Sequence, residues 1–383
     1  IGTELNLSYQ KAKNNLVNSN EFSFTNNILF PRLVTPFREL NKKRLPAQQT
    51  FITTSLSYIK RYNYFDLKTL ALGMGYEWNS RPSRKWIFRP FNFEFSYLDH
   101  QSHIFDSILH KNLYLQYSFN TALVMGSSFG YAYTSENGKH IFRSNIEESG
   151  LLWGRLGIFK NYMKQFVKLD LEYTNIKPFV KSSLILRAFT GIGVPVGKNE
   201  TSLPFFKQYY GGGANSMRGW PIRGIGRGGQ TLTPYDSITF NDRTGDIKLE
   251  LNAEYRYNII TIIPNSLVLR GALFIDAGNI WNFKNTKTGG GADSLQFQFE
   301  NLYKQLGISA GTGFRFDFNY FLIRFDFGFR FKRPDLIEND GWKAPSIGFD
   351  DGFKKIFTRG ENNEYRKWRY ENFNFSIGLS YPF

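Results

Sequence analysis

From Phe373 to the end of the chain, apolar and polar positions alternate without a break. Phe373, Phe375, Ile377, Leu379, Tyr381 and Phe383 share one face, and Asn374, Ser376, Gly378 and Ser380 share the other. A period of two is the signature of a strand with unlike faces. The stretch before it repeats the pattern, with Phe321, Ile323, Phe325, Phe327, Phe329 and Phe331 set against Arg324, Asp326, Gly328 and Arg330. The same reading predicts strands at 306 to 318, 267 to 279, 246 to 257, 184 to 194, 166 to 173, 91 to 97, 65 to 78 and 51 to 59. Less regular strands are predicted near 3 to 11, 20 to 30, 121 to 133 and 140 to 147, which brings the total to fourteen. A soluble sandwich also alternates, but its exposed face is seldom so crowded with paired charges and glycines. One face suited to lipid and one to water predicts an all-β fold, a transmembrane antiparallel β-barrel.

The connections alternate in length, as they do in barrels with short turns at one rim and long loops at the other. Those near Asn258 to Ser266 and Asp317 to Tyr320 are short, with Pro264-Asn265 and Asn319 as turn residues. Those near 198 to 243, 280 to 303 and 332 to 371 are long. Short helices are expected within Asp99 to Leu115 and Glu147 to Lys160. With no internal repeat, linker or second apolar core, residues 1 to 383 are expected to form one barrel domain.

Composition agrees with this picture: of 383 residues, 18% are aromatic, 35 are glycine and none is cysteine. Aromatic residues form the interfacial girdles of such barrels. A mean hydropathy of −0.38 and the lack of an apolar run near twenty residues exclude a transmembrane helix, not a membrane-spanning sheet. Without cysteine there is no disulfide framework, and the redox compartment stays open. The chain opens at Ile1 with no signal-peptide pattern, so an export signal is expected upstream or already removed. The net charge of +16 calls for an anionic partner, yet Lys and Arg are scattered and form no nucleic-acid-binding tract. Lipid phosphates at the outer-membrane surface would absorb that charge instead.

Catalytic signatures are missing. No Walker loop is present, and the glycine-rich stretch does not link a strand to a helix. His100-x-x-His103 falls in an expected loop with few partner ligands, and Phe349-Asp350-Asp351-Gly352-Phe353 reads as loop rather than a calcium site. No enzyme, metal or cofactor is expected.

Residues 201 to 230 stand apart, reading TSLPFFKQYYGGGANSMRGWPIRGIGRGGQ. Gly211-Gly212-Gly213-Ala214-Asn215-Ser216-Met217-Arg218-Gly219-Trp220 resembles the Arg-Gly-aromatic loop motif of the BamA/TamA family of outer-membrane assembly barrels. Phe274-Ile275-Asp276-Ala277-Gly278-Asn279 resembles that family's Phe-x-Asp-x-Gly element. Ser376-Ile377-Gly378-Leu379-Ser380-Tyr381-Pro382-Phe383 is similar to the terminal signal of outer-membrane barrels as a class. The resemblance covers roughly residues 160 to 383. It implies a sixteen-stranded barrel with the motif loop between strands eleven and twelve. Five strands follow the loop here, as that requires, but nine precede it. Two strands and the family's periplasmic POTRA repeats are therefore expected upstream of Ile1. The function it implies is insertion of outer-membrane proteins without a cofactor. The implied partners are outer-membrane lipids, nascent β-barrel proteins and periplasmic chaperones, with accessory lipoproteins or a periplasm-spanning partner in some branches. A two-partner-secretion pore that passes an unfolded polypeptide shares both fold and loop and is the alternative. A diffusion porin would need a lumen free of such a loop.

The residues suggest how the loop is held. By alternation Asp276 turns inward with Arg270, Phe274 and Gly278, whereas Leu269, Leu273 and Ile275 turn toward lipid. An arginine fork can grip a carboxylate with two hydrogen bonds. The resemblance implies that Arg218 meets acidic residues of the inner wall, with Asp276 first, Glu250 and Glu254 next, and Trp220 capping the hairpin. Gly211, Gly212, Gly213 and Gly219 would permit tight turns and close approach. A flexible RNA-binding arginine-glycine segment is the competing reading of the loop. For Asp276, simple neutralisation by Arg270 or Arg256 competes with an anchor. On the terminal strand Pro382 cannot donate to a ladder and Gly378 bends easily, which suggests a lateral gate between first and last strands. Pro382 lying beyond the last ladder bond is the plainer alternative.

Overall fold

The computed structural model describes residues 2–7, 17–35, 47–62, 64–111, 118–119, 121–156, 162–197, 200–231, 243–285, 294–318, 320–346, 349–357 and 363–381. Its strands are β1 (Gly2–Leu7), β2 (Val17–Phe30), β3 (Gln49–Arg61), β4 (Phe65–Arg81), β5 (Arg84–Gln101), β6 (Ala122–Thr134), β7 (His140–Ser149), β8 (Phe166–Pro178), β9 (Ser182–Pro195), β10 (Ile247–Ile263), β11 (Leu267–Trp281), β12 (Gly307–Phe318), β13 (Phe321–Lys332) and β14 (Phe373–Leu379). They pair in chain order as one 14-stranded sheet. The helices are α1 (His103–Lys111), α2 (Phe349–Phe357) and α3 (Asn363–Asn372), with single helical turns at Trp153–Leu156 and Leu302–Gln305.

Each expected strand has a counterpart, and β5, β8 and β10 run longer than alternation alone indicated; β10 continues to Ile263, so the turn expected from Asn258 to Ser266 narrows to the residues before Leu267. His100 ends up in β5, and His103 opens α1 rather than lying in a loop. The segment Phe349 to Phe353 begins α2, another departure from the loop expected there. Asn319, Pro382 and Phe383 lie outside the described residues.

The chain divides into two compact units, one chiefly Asn14–Tyr173 with Gly191–Gln208, the other chiefly Thr174–Thr190 with Tyr209–Phe383. In the first, Phe65 of β4, Phe105 of α1, Phe119 and Phe205 form an aromatic cluster, with centroid separations of 5.0 Å for Phe65–Phe105 and 4.2 Å for Phe119–Phe205. Offset and edge-on rings at this spacing add to what burial alone contributes.

In the second unit the pleat sorts the side chains sharply. Leu273 and Ile275 are 52% and 55% exposed, while Phe274 and Asp276 between and beside them are 3% and 0%. Register then aligns inward residues in rows across β10 to β14. One row runs Glu254, Phe274, Gly311, Gly328, Asn374. Another runs Asn252, Asp276, Ser309, Arg330. Between two walls of long side chains, Gly311 and Gly328 leave a shallow trough, because a strand glycine offers backbone where its neighbours offer side chains.

Alternation fails at the end of β14. Ser380 has φ 68°, which breaks the strand and ends its pairing at Leu379. Tyr381, expected on the lipid side, instead places its ring 4.2 Å from the Arg256 guanidinium of β10.

Candidate loop anchor

The loop between β9 and β10 turns tightly at Gly212 and Gly213, with φ 99° and 87°, a conformation that disfavours any side chain. The Gly213 N–H donates to the Trp220 carbonyl at 2.8 Å and closes a small hairpin with Arg218 at its tip. Met217, Trp220 and Ile225 form its apolar base. Ser309 side-chain atoms would collide with any Cβ on Gly219, so the residue after the arginine has to be glycine for the tip to reach the wall.

Arg218 is fully buried. Its Nε and one terminal nitrogen donate to the two oxygens of Asp276 at 2.9 and 2.7 Å, and its backbone N–H adds a third bond at 3.0 Å. The other terminal nitrogen pairs with Glu254, and the guanidinium plane sits 3.7 Å from the Phe274 ring centroid. Burial alone would push the Arg218 pKa down, but Asp276 and Glu254 outweigh it and hold it above the usual arginine value. Planar stacking and a two-pronged carboxylate grip are contacts that lysine cannot reproduce.

A wider network surrounds this pair. Arg315 reaches Asp326 at 2.7 Å and Glu254 at 3.4 Å, and Arg324 reaches Asp326 at 3.1 Å. Asn252 donates to Asp276 at 2.9 Å. Arg324 also donates to the Ala214 carbonyl at 2.7 Å and meets the Asn215 side chain, while Arg330 donates to the Gly219 carbonyl at 2.7 Å. On the last strand, Asn374 donates to the carbonyls of Arg218 and Trp220 at 2.9 and 3.2 Å.

Glu250 faces inward as alternation put it, but not every expected residue has the expected partner. Glu250 does not meet Arg218; it takes Arg187 at 2.9 Å, Lys248 at 2.7 Å and the Ser216 hydroxyl at 2.7 Å, supporting the hairpin one turn earlier. Asn252 stands between it and Glu254 on the inward face of β10, and donates to Asp276 and to the Ser216 carbonyl. Arg270 pairs with Asp317 at 3.0 Å and Arg256 with Glu254 at 2.7 Å, while Asp276 is gripped by Arg218. Gly211 bridges to Ile225. Gly378 does more than permit bending: a Cβ there would occupy the space of the Arg324 guanidinium. Ser376 lies opposite Asp326 in the β13–β14 ladder.

Sequence reasoning missed a second attachment of the same loop, in the first unit. Lys207 is gripped by Glu94 of β5 and Glu147 of β7, both at 2.8 Å. Beside it Leu203 is buried with Val124, Phe166 and Phe206, and Phe205 joins the aromatic cluster. Burial would lower the Lys207 pKa, yet the two carboxylates hold it above the ordinary lysine value. A signal was there to be read: one lysine inside Leu203-Pro204-Phe205-Phe206-Lys207, and Glu94 alternating with Phe93 and Phe95.

Strands with an exposed apolar face and a buried charged face, and a loop ion-paired to the latter, define an antiparallel β-barrel of the outer-membrane kind. Among the described residues no helix is long and apolar enough to cross a membrane, so any crossing is made by strands. The Omp85 superfamily domain matches residues 156–381, more than half of the sequence, and the chain belongs to that superfamily. Its members are outer-membrane barrels, transporters or assembly factors rather than enzymes. The fold is similar to that of BamA from Haemophilus ducreyi lacking POTRA domains 1-3, with a TM-score of 0.58 and 12% identity, over 85% of this chain and 61% of that one. CdiB from Escherichia coli is also similar, with a TM-score of 0.47 and 12% identity, over 82% of this chain and 50% of that one. The chain thus spans less than two thirds of the BamA chain it matches.

Proposed function

We propose that this chain is the membrane barrel of a factor that inserts outer-membrane proteins through a weak seam at its last strand. The observation that carries this reading is the shortness of β14, 7 residues beside 12 in β13. A strand needs about 9–11 residues to cross the hydrocarbon core. A ladder this short holds with fewer hydrogen bonds and matches a thinned bilayer, and both lower the barrier for a substrate strand to pair there. β14 ends the sheet order, so on this reading the seam runs along its outer edge.

On this reading Arg218, Gly219 and Trp220 are positioning residues. They fix the loop tip against β11 to β14, and Asn374 couples it to the seam. The substrates are nascent β-barrel proteins delivered by periplasmic chaperones, with accessory lipoproteins or a periplasm-spanning partner in support, and the reaction needs no cofactor.

Depletion of the full-length protein in its native cell, followed by quantitative proteomics of the outer membrane, tests the proposal. Broad loss of β-barrel proteins is the expected result. Loss of one secreted polypeptide with other barrels intact would overturn it in favour of a translocation pore.

A further inference from the structure

The connection between β13 and β14 carries two helices, α2 and α3, and α2 lies against the sheet. Phe327 of β13 belongs to the outward set, since its neighbours Asp326 and Gly328 face the buried network and the loop tip. The Phe357 ring at the end of α2 packs against the Phe327 ring at 6.4 Å. Phe373, the first residue of β14, packs on Phe327 and Phe329 at 6.4 and 5.2 Å and is only 9% exposed, although it too is an outward position. The helices therefore cover the outer face of the last two strands near their long-loop ends. Arg369 of α3 donates to the Lys355 carbonyl of α2 at 2.6 Å, and Lys355 and Trp368 both bond Ser346, so the pair is tied into one body.

We infer that α2 lies in the lipid interface, seated on the aromatic faces of β13 and β14 and covered by outer-leaflet lipid. The lipid-facing surface of the sheet continues without interruption through Phe327 onto Phe357, which remains 53% exposed after packing. An exposed phenyl ring continuous with a lipid-facing strand has lipid as its neighbour. Next to it, Lys354 is exposed and Lys355 lies over the Trp368 ring at 5.8 Å, the arrangement in which lysine stems cover apolar surface while their ammonium groups reach headgroups. Long-loop ends of outer-membrane barrels face outward, which assigns the outer leaflet. The helix thus replaces lipid beside the strand where the seam is proposed. The inference rests on the barrel fold and not on the insertion reading.

Nitroxide depth measurement tests it directly, because the chain has no native cysteine to mask a label. The full-length protein bearing Phe357→Cys is labelled and reconstituted in phosphatidylcholine–phosphatidylglycerol vesicles. Its accessibility to oxygen and to an aqueous nickel reagent is compared with that of Leu273→Cys, on the outward face of β11, and Lys367→Cys, exposed on α3. Folding of each protein is verified by heat-modifiable gel mobility, which keeps an unfolded variant from being read as a wet one. The label at 357 is expected to follow the one at 273, with oxygen favoured over nickel. A label at 357 that follows 367 overturns the inference, whatever the depletion experiment gives.

Discussion

The side-chain amide of Asn374 on the last strand donates to the backbone carbonyl of Arg218 at 2.9 Å, so the loop tip and the terminal strand are joined directly. The same amide also reaches the Trp220 carbonyl at 3.2 Å. Asn374→Ala removes both bonds and leaves two carbonyls to be satisfied otherwise, a cost of about 1–3 kcal/mol. Faster hydrogen–deuterium exchange is expected in β14, with β10 and β11 unchanged. Unchanged exchange in β14 would show that the loop does not steady the seam.

Arg218→Lys keeps the charge but loses the fork and the stacking on Phe274. Asp276→Asn keeps the shape and loses the charge. Asp276→Asn removes one partner of a buried ion pair, a loss of about 3–5 kcal/mol, and Arg218→Lys loses hydrogen bonds to charged groups, each about 1.5–3 kcal/mol. Both variants are expected to unfold at lower urea concentration and to expose the loop at 198 to 243 to protease. Glu250→Gln should leave the Arg218 grip intact, because Glu250 acts on Ser216, Lys248 and Arg187 instead. Equal loop proteolysis in Glu250→Gln and Asp276→Asn would contradict that division.

Lys207→Met leaves Glu94 and Glu147 together in a half-buried site, and is expected to destabilise the loop's first segment by about 1–3 kcal/mol. Adding Glu147→Gln should recover part of the loss, giving a coupling measurable in a double-mutant cycle. A lysine with a raised folded pKa contributes stability that is fully present below its unfolded value, about 10.4, and is lost as pH climbs through the folded one. The Lys207 contribution should therefore be constant across neutral pH and fade only in strong alkali. Titration of stability near pH 7 that disappears in Lys207→Met would refute the assignment.

Seam opening can be tested covalently. A cysteine pair placed across the first and last strands of the complete protein should abolish insertion when oxidised and restore it on reduction. Full activity with the pair oxidised would remove the lateral gate from the mechanism.

Much of this molecule is legible in its sequence because a pleated strand enforces a period of two. Phe274 against Leu273, and Asp276 against Ile275, were sorted to the correct faces by counting alone. The Arg218–Asp276 pairing was also within reach, since a buried fork needs a buried carboxylate. Three features were not. Tyr381 escaped because a single backbone dihedral at Ser380 cancels the alternation that preceded it. The Lys207 attachment depends on Glu94 and Glu147 from strands far apart in the chain, a meeting that only tertiary structure arranges. α2 escaped because Asp350-Asp351-Gly352 carries turn chemistry, and what favours helix there is the seat that Phe327 offers to Phe357.

Arg218, Arg315 and Arg324 face Glu254, Asp276 and Asp326, all six with no solvent exposure. With the hairpin withdrawn, the wall alone would keep two of those cations against three anions. Such a surface is electrostatically unfinished, and a partly seated tip would strand charge without water to receive it. The hairpin thus brings the third cation, and the six buried charges balance only with Arg218 in place.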